Sequence, residues 1–160
     1  MKKLVFENAE DFLKSLDLFG PILALDLGTK TIGVAVSDST RTIATPVSII
    51  KRKKFSHDLE EICSLNSMYT FQGIILGLPI NMNGSEGPRC QSTRSFATKL
   101  STATNVPICL WDERLSTVAA ERILIESDIS RKSRSKVIDK LAACYILQGL
   151  LDRLKYVVPE

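Results

Sequence analysis

Residues 22–27 read Ile-Leu-Ala-Leu-Asp-Leu, and Asp26 is the only polar side chain in that run. A carboxylate there loses its hydration, and an unpaired buried charge costs too much to persist. It must meet a cation, a metal or a set of hydrogen-bond donors. Hard divalent cations take oxygen ligands, and a strand would present Asp26 rigidly. Asp is also a residue that bonds backbone amides two positions on, so capping a turn at 28–31 is the competing role.

Two further acidic positions stand at the ends of apolar segments. Asp112-Glu113 follows the run 106–111. Adjacent strand residues point to opposite faces, so at most one of the two faces a given site. The space beyond strand C-termini is where ligands collect in parallel sheets, although Glu113-Arg114 also reads as an exposed charge pair. Asp139 shares helical spacing with Ala143, Ile146 and Leu150, an apolar face expected to turn inward. In a first helical turn its charge would equally suit the helix dipole. Three carboxylates without a catalytic His or Cys constellation are the ingredients of phosphoryl transfer assisted by divalent metal. In such a site two cations, roughly 3.5–4 Å apart, activate water and stabilise the leaving oxygen. The only histidine, His57, begins an expected surface helix and reads as solvated.

Basic residues offer a surface for phosphate. Lys30 and Arg114 each adjoin an acidic candidate, and Arg131, Lys132, Arg134 and Lys136 precede Asp139. The run Lys51-Arg52-Lys53-Lys54 reads as a solvated turn. The loop 79–88 contains Asn81, Asn83 and Gly84, and it could contact phosphate through amides or simply connect two elements.

Elements must hold these side chains in place. Asn8 is a good N-cap for a helix over 8–19, with Phe12, Leu16 and Phe19 at helical spacing. Strands are expected at 22–27, 31–37, 43–50, 73–78 and 106–111. Helices are expected at about 56–66, from Pro88 to about 103, at 117–126 and from 136 to 154, with a basic linker over 128–136. The order predicts an α/β fold with a five-stranded mixed sheet, three early antiparallel strands and two later parallel ones, flanked by helices.

The 160 residues make one domain the default, large enough for a core without disulfides. A net charge of +3 is only mildly basic, so nucleic-acid binding must come from local patches. The cysteines at 63, 90, 109 and 144 form no zinc or C-x-x-C pattern and suit a reducing compartment. The apolar run after Met1-Lys2-Lys3 is too short for a signal peptide, and nothing approaches membrane-spanning length. The expectation is a cytoplasmic protein with no membrane partner.

The segments Leu25-Asp26-Leu27-Gly28-Thr29-Lys30, Gly77-Leu78-Pro79 with Asn81 and Gly84, Asp112-Glu113-Arg114-Leu115-Ser116-Thr117, and Lys136 with Asp139-Lys140-Leu141-Ala142-Ala143 resemble the YqgF family. The resemblance spans about residues 22–152. It implies an RNase H-like fold over 21–156, with residues 1–20 as an N-terminal, helical extension. It further implies a hydrolase acting in maturation of pre-16S rRNA at its 5′ end, or a nuclease resembling Holliday junction resolvases. By analogy with that fold, Asp26, Glu113 and Asp139 would hold Mg²⁺ or Mn²⁺, with Asp112 as a substitute for Glu113. Lys30, Asn81, Arg114, Arg131, Arg134 and Lys136 would meet the nucleic acid. Two other classes compete. An actin-like ATPase would use Asp26 to Thr29 near phosphate but needs a second such lobe. A non-catalytic nucleic-acid-binding module would keep the basic segments and need none of the acids.

Overall fold

The computed structural model describes the backbone of residues 3–115 and 131–156, and the side chains of 3–115 and 141–156. Strands β2 (Ile22–Leu27), β3 (Thr31–Ser37) and β4 (Ala44–Lys51) follow β1 (Val5–Phe6) and helix α1 (Ala9–Lys14). Then come α2 (Phe55–Tyr69), β5 (Gly73–Leu78), α3 (Pro88–Thr104), β6 (Ile108–Asp112), a 3-10 turn (Glu113–Leu115) and α4 (Arg131–Leu154). β2, β3 and β4 form an antiparallel meander, and β5 and β6 extend the sheet in parallel from the other edge of β2.

The sheet has six strands, in the order β1-β6-β5-β2-β3-β4, rather than the five expected. The extra strand pairs Val5 with Ile108 and Phe6 with Cys109. Two residues carry no readable period, and β1 forms because the edge of β6 offers unpaired backbone groups. The N-terminal segment is therefore strand plus helix. Its helix stops at Lys14 instead of reaching Phe19, although Asn8 caps it as expected, accepting from the amides of Glu10 and Asp11 at 2.8 and 3.1 Å. Buried Arg41 holds the chain beyond the helix by donating to the carbonyls of Gly20 (2.9 Å) and Asp17 (2.7 Å). Phe19 consequently lies exposed.

Residues 131–136 are helical, not a linker. Arg and Lys are good helix formers, and the segment has no Gly or Pro to break the turn. The helix expected at 117–126 lies outside the described residues.

β2 is buried along its whole length, because helices cover both faces of the sheet. Leu23, Leu25 and Leu27 enter a core with Ile74, Leu76, Phe96 and Leu100, under α2 and α3. Ile22 and Ala24 enter a second core with Phe12, Ile75, Trp111, Ile146 and Leu150, under α1 and α4. On α4, Ile146, Leu147, Leu150 and Leu151 are fully buried, each contributing about 1.5–3 kcal/mol relative to exposure. This seam fixes α4 against the face to which Asp26 belongs.

Candidate active site

Alternation along β2 sends Asp26 to the same face as Ala24, toward α4, and only 8% of its surface is exposed. Glycines flank it. Gly33 is its partner on β3, and the parallel register Ala24↔Ile75, Leu25↔Leu76 continues to place Gly77 on its other side. Missing side chains leave room around the carboxylate.

Glu113 fills the room over Gly77. A Cβ at Gly77 would lie 2.6 Å from Glu113 Oε1 and 2.6 Å from Ile146 Cδ1. Glu113 therefore folds back from the end of β6, over β5 and against α4, toward the position beside Asp26. The 3-10 turn aims it: β6 ends at Asp112, and the tighter turn brings the next side chain across the sheet end.

Asp112 goes the other way. It alternates with Trp111, which belongs to the α4-side core. Its carboxylate is gripped by Arg114, with contacts of 2.7 Å from Nη2, 3.1 Å from Nε and 2.9 Å from the backbone amide. The Arg114 hydrogen bonds hold the Asp112 carboxyl below its ordinary value, against a smaller opposing effect of burial. Asp112 and Arg114 thus occupy each other. Arg114 also lies beside the 79–88 loop, 3.7 Å from where a Cβ of Gly84 would be.

Asp139 stands on α4 one turn before Ala143 and two turns before Ile146, on the helix that covers Asp26. Its side chain, and those of Arg131, Arg134 and Lys136 on the same helix, lie outside the described residues. Lys30 is exposed in the β2–β3 turn, which a 2.8 Å bond from the Gly28 amide to the Thr31 carbonyl closes. Asn81 is exposed but organises its own loop: its side-chain amide donates to Ser85 Oγ at 3.0 Å, and Asn83 accepts from the Ser85 amide at 3.0 Å. Among the described residues no group of three His, Cys, Asp or Glu is placed to hold a metal ion. Asp26, and Glu113 over Gly77 on the neighbouring strand, are carboxylates of the hard oxygen type that Mg²⁺ and Mn²⁺ take.

Gly77 is the residue whose part in the site the expectations left out. Its signal was present: a glycine inside the apolar strand Ile74-Ile75-Leu76-Gly77-Leu78 often marks a close approach. The cysteines play no visible part here. Cys90 and Cys109 are buried, and burial pushes the Cys109 thiol up to about 12.

Residues 20–153 match the family model described as RuvX: Holliday junction resolvase. A protein of Ruegeria pomeroyi named "Putative pre-16S rRNA nuclease" is 57% identical over 152 residues, covering 95% of this chain and 99% of its own. Among solved structures, T. thermophilus RuvC in complex with Holliday junction substrate superposes with a TM-score of 0.54 at 9% identity, over 86% of this chain and 97% of its own. The yeast mitochondrial Holliday junction resolvase Ydc2 gives a TM-score of 0.51 at 12% identity, over 92% of this chain and 86% of its own. These two likenesses show a shared RNase H-like fold. With its family match and its near full-length kinship, the chain belongs to the RuvX/YqgF family and is a hydrolase of nucleic-acid ester bonds.

Proposed function

We propose that this protein is a divalent-metal-dependent nuclease acting on the precursor of 16S rRNA, in the processing of its 5′ end. The observation that carries the reading is Glu113 folded over Gly77, the β5 residue that the strand register sets beside buried Asp26, on the face covered by α4. Carboxylates brought close together would disfavour each other's charge, and a divalent cation would offset that repulsion. Asp26, Glu113 and Asp139 would be the ligands, Asp26 from the rigid centre of the sheet and the others from its flanks. Mg²⁺ or Mn²⁺ held there would supply the activation of water and the stabilisation of the leaving oxygen.

The remaining work falls to the chain itself. The packed seam of Ile146 and Leu150 keeps water from the buried side of Asp26 and fixes α4. Gly77 lets Glu113 approach the sheet. Lys30, at the turn directly after β2, would draw a backbone phosphate toward Asp26, and Arg131, Arg134 and Lys136 would do so from α4. Contacts to phosphate carry no base information, so shape rather than sequence would select the substrate. Arg114 would act mainly by fixing Asp112 and the edge of the 79–88 loop, and Asn81 by shaping that loop. Asp112, facing away and paired with Arg114, would not stand in for Glu113 in this reading. A cytoplasmic site of action agrees with this substrate, and no helix among the described residues is long and apolar enough to cross a membrane.

The family description favours a second substrate, a four-way DNA junction. Cleavage of structured RNA, single-stranded RNA and a four-way DNA junction by wild type and Asp26→Asn, with Mg²⁺, Mn²⁺ or EDTA, separates the readings. Metal-dependent cleavage of the structured RNA, lost in Asp26→Asn, supports the rRNA reading, whereas preferential cutting of the junction replaces it with the DNA reading. Equal cleavage by Asp26→Asn and wild type contradicts the proposed site and leaves a nucleic-acid-binding module.

A further inference from the structure

A second feature occupies the same end of the sheet, on the opposite face. The β2–β3 turn, the segment after β4 and the first turn of α3 enclose a cleft of about 400 Å³. Arg52, Lys53 and Arg89 line it together with Thr29 and Ser92, and no carboxylate does. A neighbouring hollow of about 300 Å³ shares Arg52, Lys53 and Ser92 and adds Lys99 and the carboxylate of Asp58.

The two arginines are fixed in place. Arg52 Nη1 donates to the Gly28 carbonyl at 2.6 Å, and Arg89 Nη2 donates to the adjacent Leu27 carbonyl at 3.1 Å. Arg52 also lies against the Phe96 ring, 5.7 Å from its centroid. A guanidinium has five donors, and docking one of them on a neutral carbonyl leaves its charge in place. The acid that reaches Arg52, Asp58, is 1% exposed and belongs to the local scaffold. It accepts from the Lys53 amide at 3.0 Å and lies 4.0 Å from Arg52 Nε, so it braces the run 51–54 from below. Lys51, Lys53 and Lys54 are exposed, as a solvated turn has them, but Arg52 within the run is fixed. Arg52 and Arg89, the latter without an acidic partner among the described residues, are preorganised guanidinium groups of the kind that recognise phosphate with little ordering cost, and exposed Lys53 adjoins them in the cleft.

The location says which phosphate. Leu27 lines the cleft, and the residue before it is Asp26, whose side chain points to the other face. A strand crossing this end of the sheet meets the cleft and the carboxylates in succession. We infer that the cleft of Arg52, Lys53 and Arg89 binds the phosphodiester backbone of the nucleic-acid substrate away from the bond that is cut. This deepens the nuclease reading and rests on it.

The test is binding of a labelled RNA hairpin with a single-stranded flank, followed by fluorescence anisotropy in EDTA between 50 and 200 mM salt. Inorganic phosphate and a mononucleotide serve as competitors. Lys53→Gln combined with Arg89→Gln should weaken binding about tenfold or more at low salt. The slope of log affinity against log salt should fall by roughly 1.4–1.8, two lost phosphate contacts. Lys53→Gln alone changes an exposed side chain, keeps the fold, and should lower the slope by roughly 0.7–0.9. Lys155→Gln, remote on the C-terminal turn, should match wild type. Unchanged affinity and slope in the folded variants overturn the inference, as does a wild type that binds no RNA. So does competition by phosphate or mononucleotide as effective as by unlabelled RNA, which makes the cleft a small-anion site. Loss of cleavage in Asp26→Asn alongside unchanged binding in the cleft variants would sink the cleft alone. Full cleavage by Asp26→Asn alongside weakened binding in the cleft variants would sink the catalytic site alone.

Discussion

Among the described residues, the two faces of one sheet end are built in opposite ways. Under α4, Asp26 is a buried acid and half-buried Glu113 folds toward it over Gly77, with glycines making the room. Under α2 and α3, Arg52 and Arg89 are cations on an open cleft, fixed to neutral carbonyls. A single step of strand alternation, from Asp26 to Leu27, separates the two. The α4 face buries a carboxylate where charge is costly, which would suit a cation that is bound and used. The basic face spreads charge where water can reach it, which suits capture of a polymer.

Adjacent residues at the end of β6 give the sharpest contrast. Glu113→Gln should reduce cleavage by about 10³-fold, the order expected when one group stabilising the transition state is removed. Asp112→Asn should change it by less than about tenfold. Rates under single-turnover conditions decide, and equal losses would erase the distinction between the faces. The next effect is steric. Gly77→Ala puts a methyl where Glu113 Oε1 and Ile146 Cδ1 already sit, so Glu113 must move. Cleavage should fall about 10–100-fold, a cost seen when support for metal ligands is disturbed, and stability by about 1–3 kcal/mol in urea titration. Ile146→Ala, which removes the apolar neighbour instead, should cost about 2–5 kcal/mol of stability without touching the ligands themselves. A thermal melt of that variant at wild-type stability would show that α4 is not held by this seam.

The smallest effect is electrostatic. Arg114 depresses the Asp112 carboxyl in the folded protein, so that contribution to stability is present above the unfolded carboxylate value of about 3.9 and is lost as pH falls through the lowered folded value. Asp112→Asn should therefore flatten the acid limb of melting temperature against pH slightly. An unchanged limb would mean that the pair is screened by solvent.

The burial of Asp26 was legible because its signal is local: a lone carboxylate in an apolar strand is visible within a few residues. Which of Asp112 and Glu113 faces Asp26 was not, since strand alternation separates them but only the 3-10 turn decides where Glu113 goes. The basic face was hidden for a different reason. Arg89 matters through its bond to the Leu27 carbonyl, and Arg52, within an exposed run, through its bond to the Gly28 carbonyl, both partners distant in the chain. Strand β1 was invisible because its two residues owe their conformation to β6. The overlong N-terminal helix followed a real apolar period that Arg41 cuts short by claiming the carbonyls of Asp17 and Gly20.

Calorimetric titration of Mn²⁺ into the metal-free protein tests most directly whether the acid face is a cation site. The account predicts saturable binding by wild type, at least tenfold weaker binding by Asp26→Asn and by Glu113→Gln, and unchanged binding by Asp112→Asn. Wild-type affinity in Asp26→Asn, or a loss in Asp112→Asn as large as that in Glu113→Gln, would contradict it.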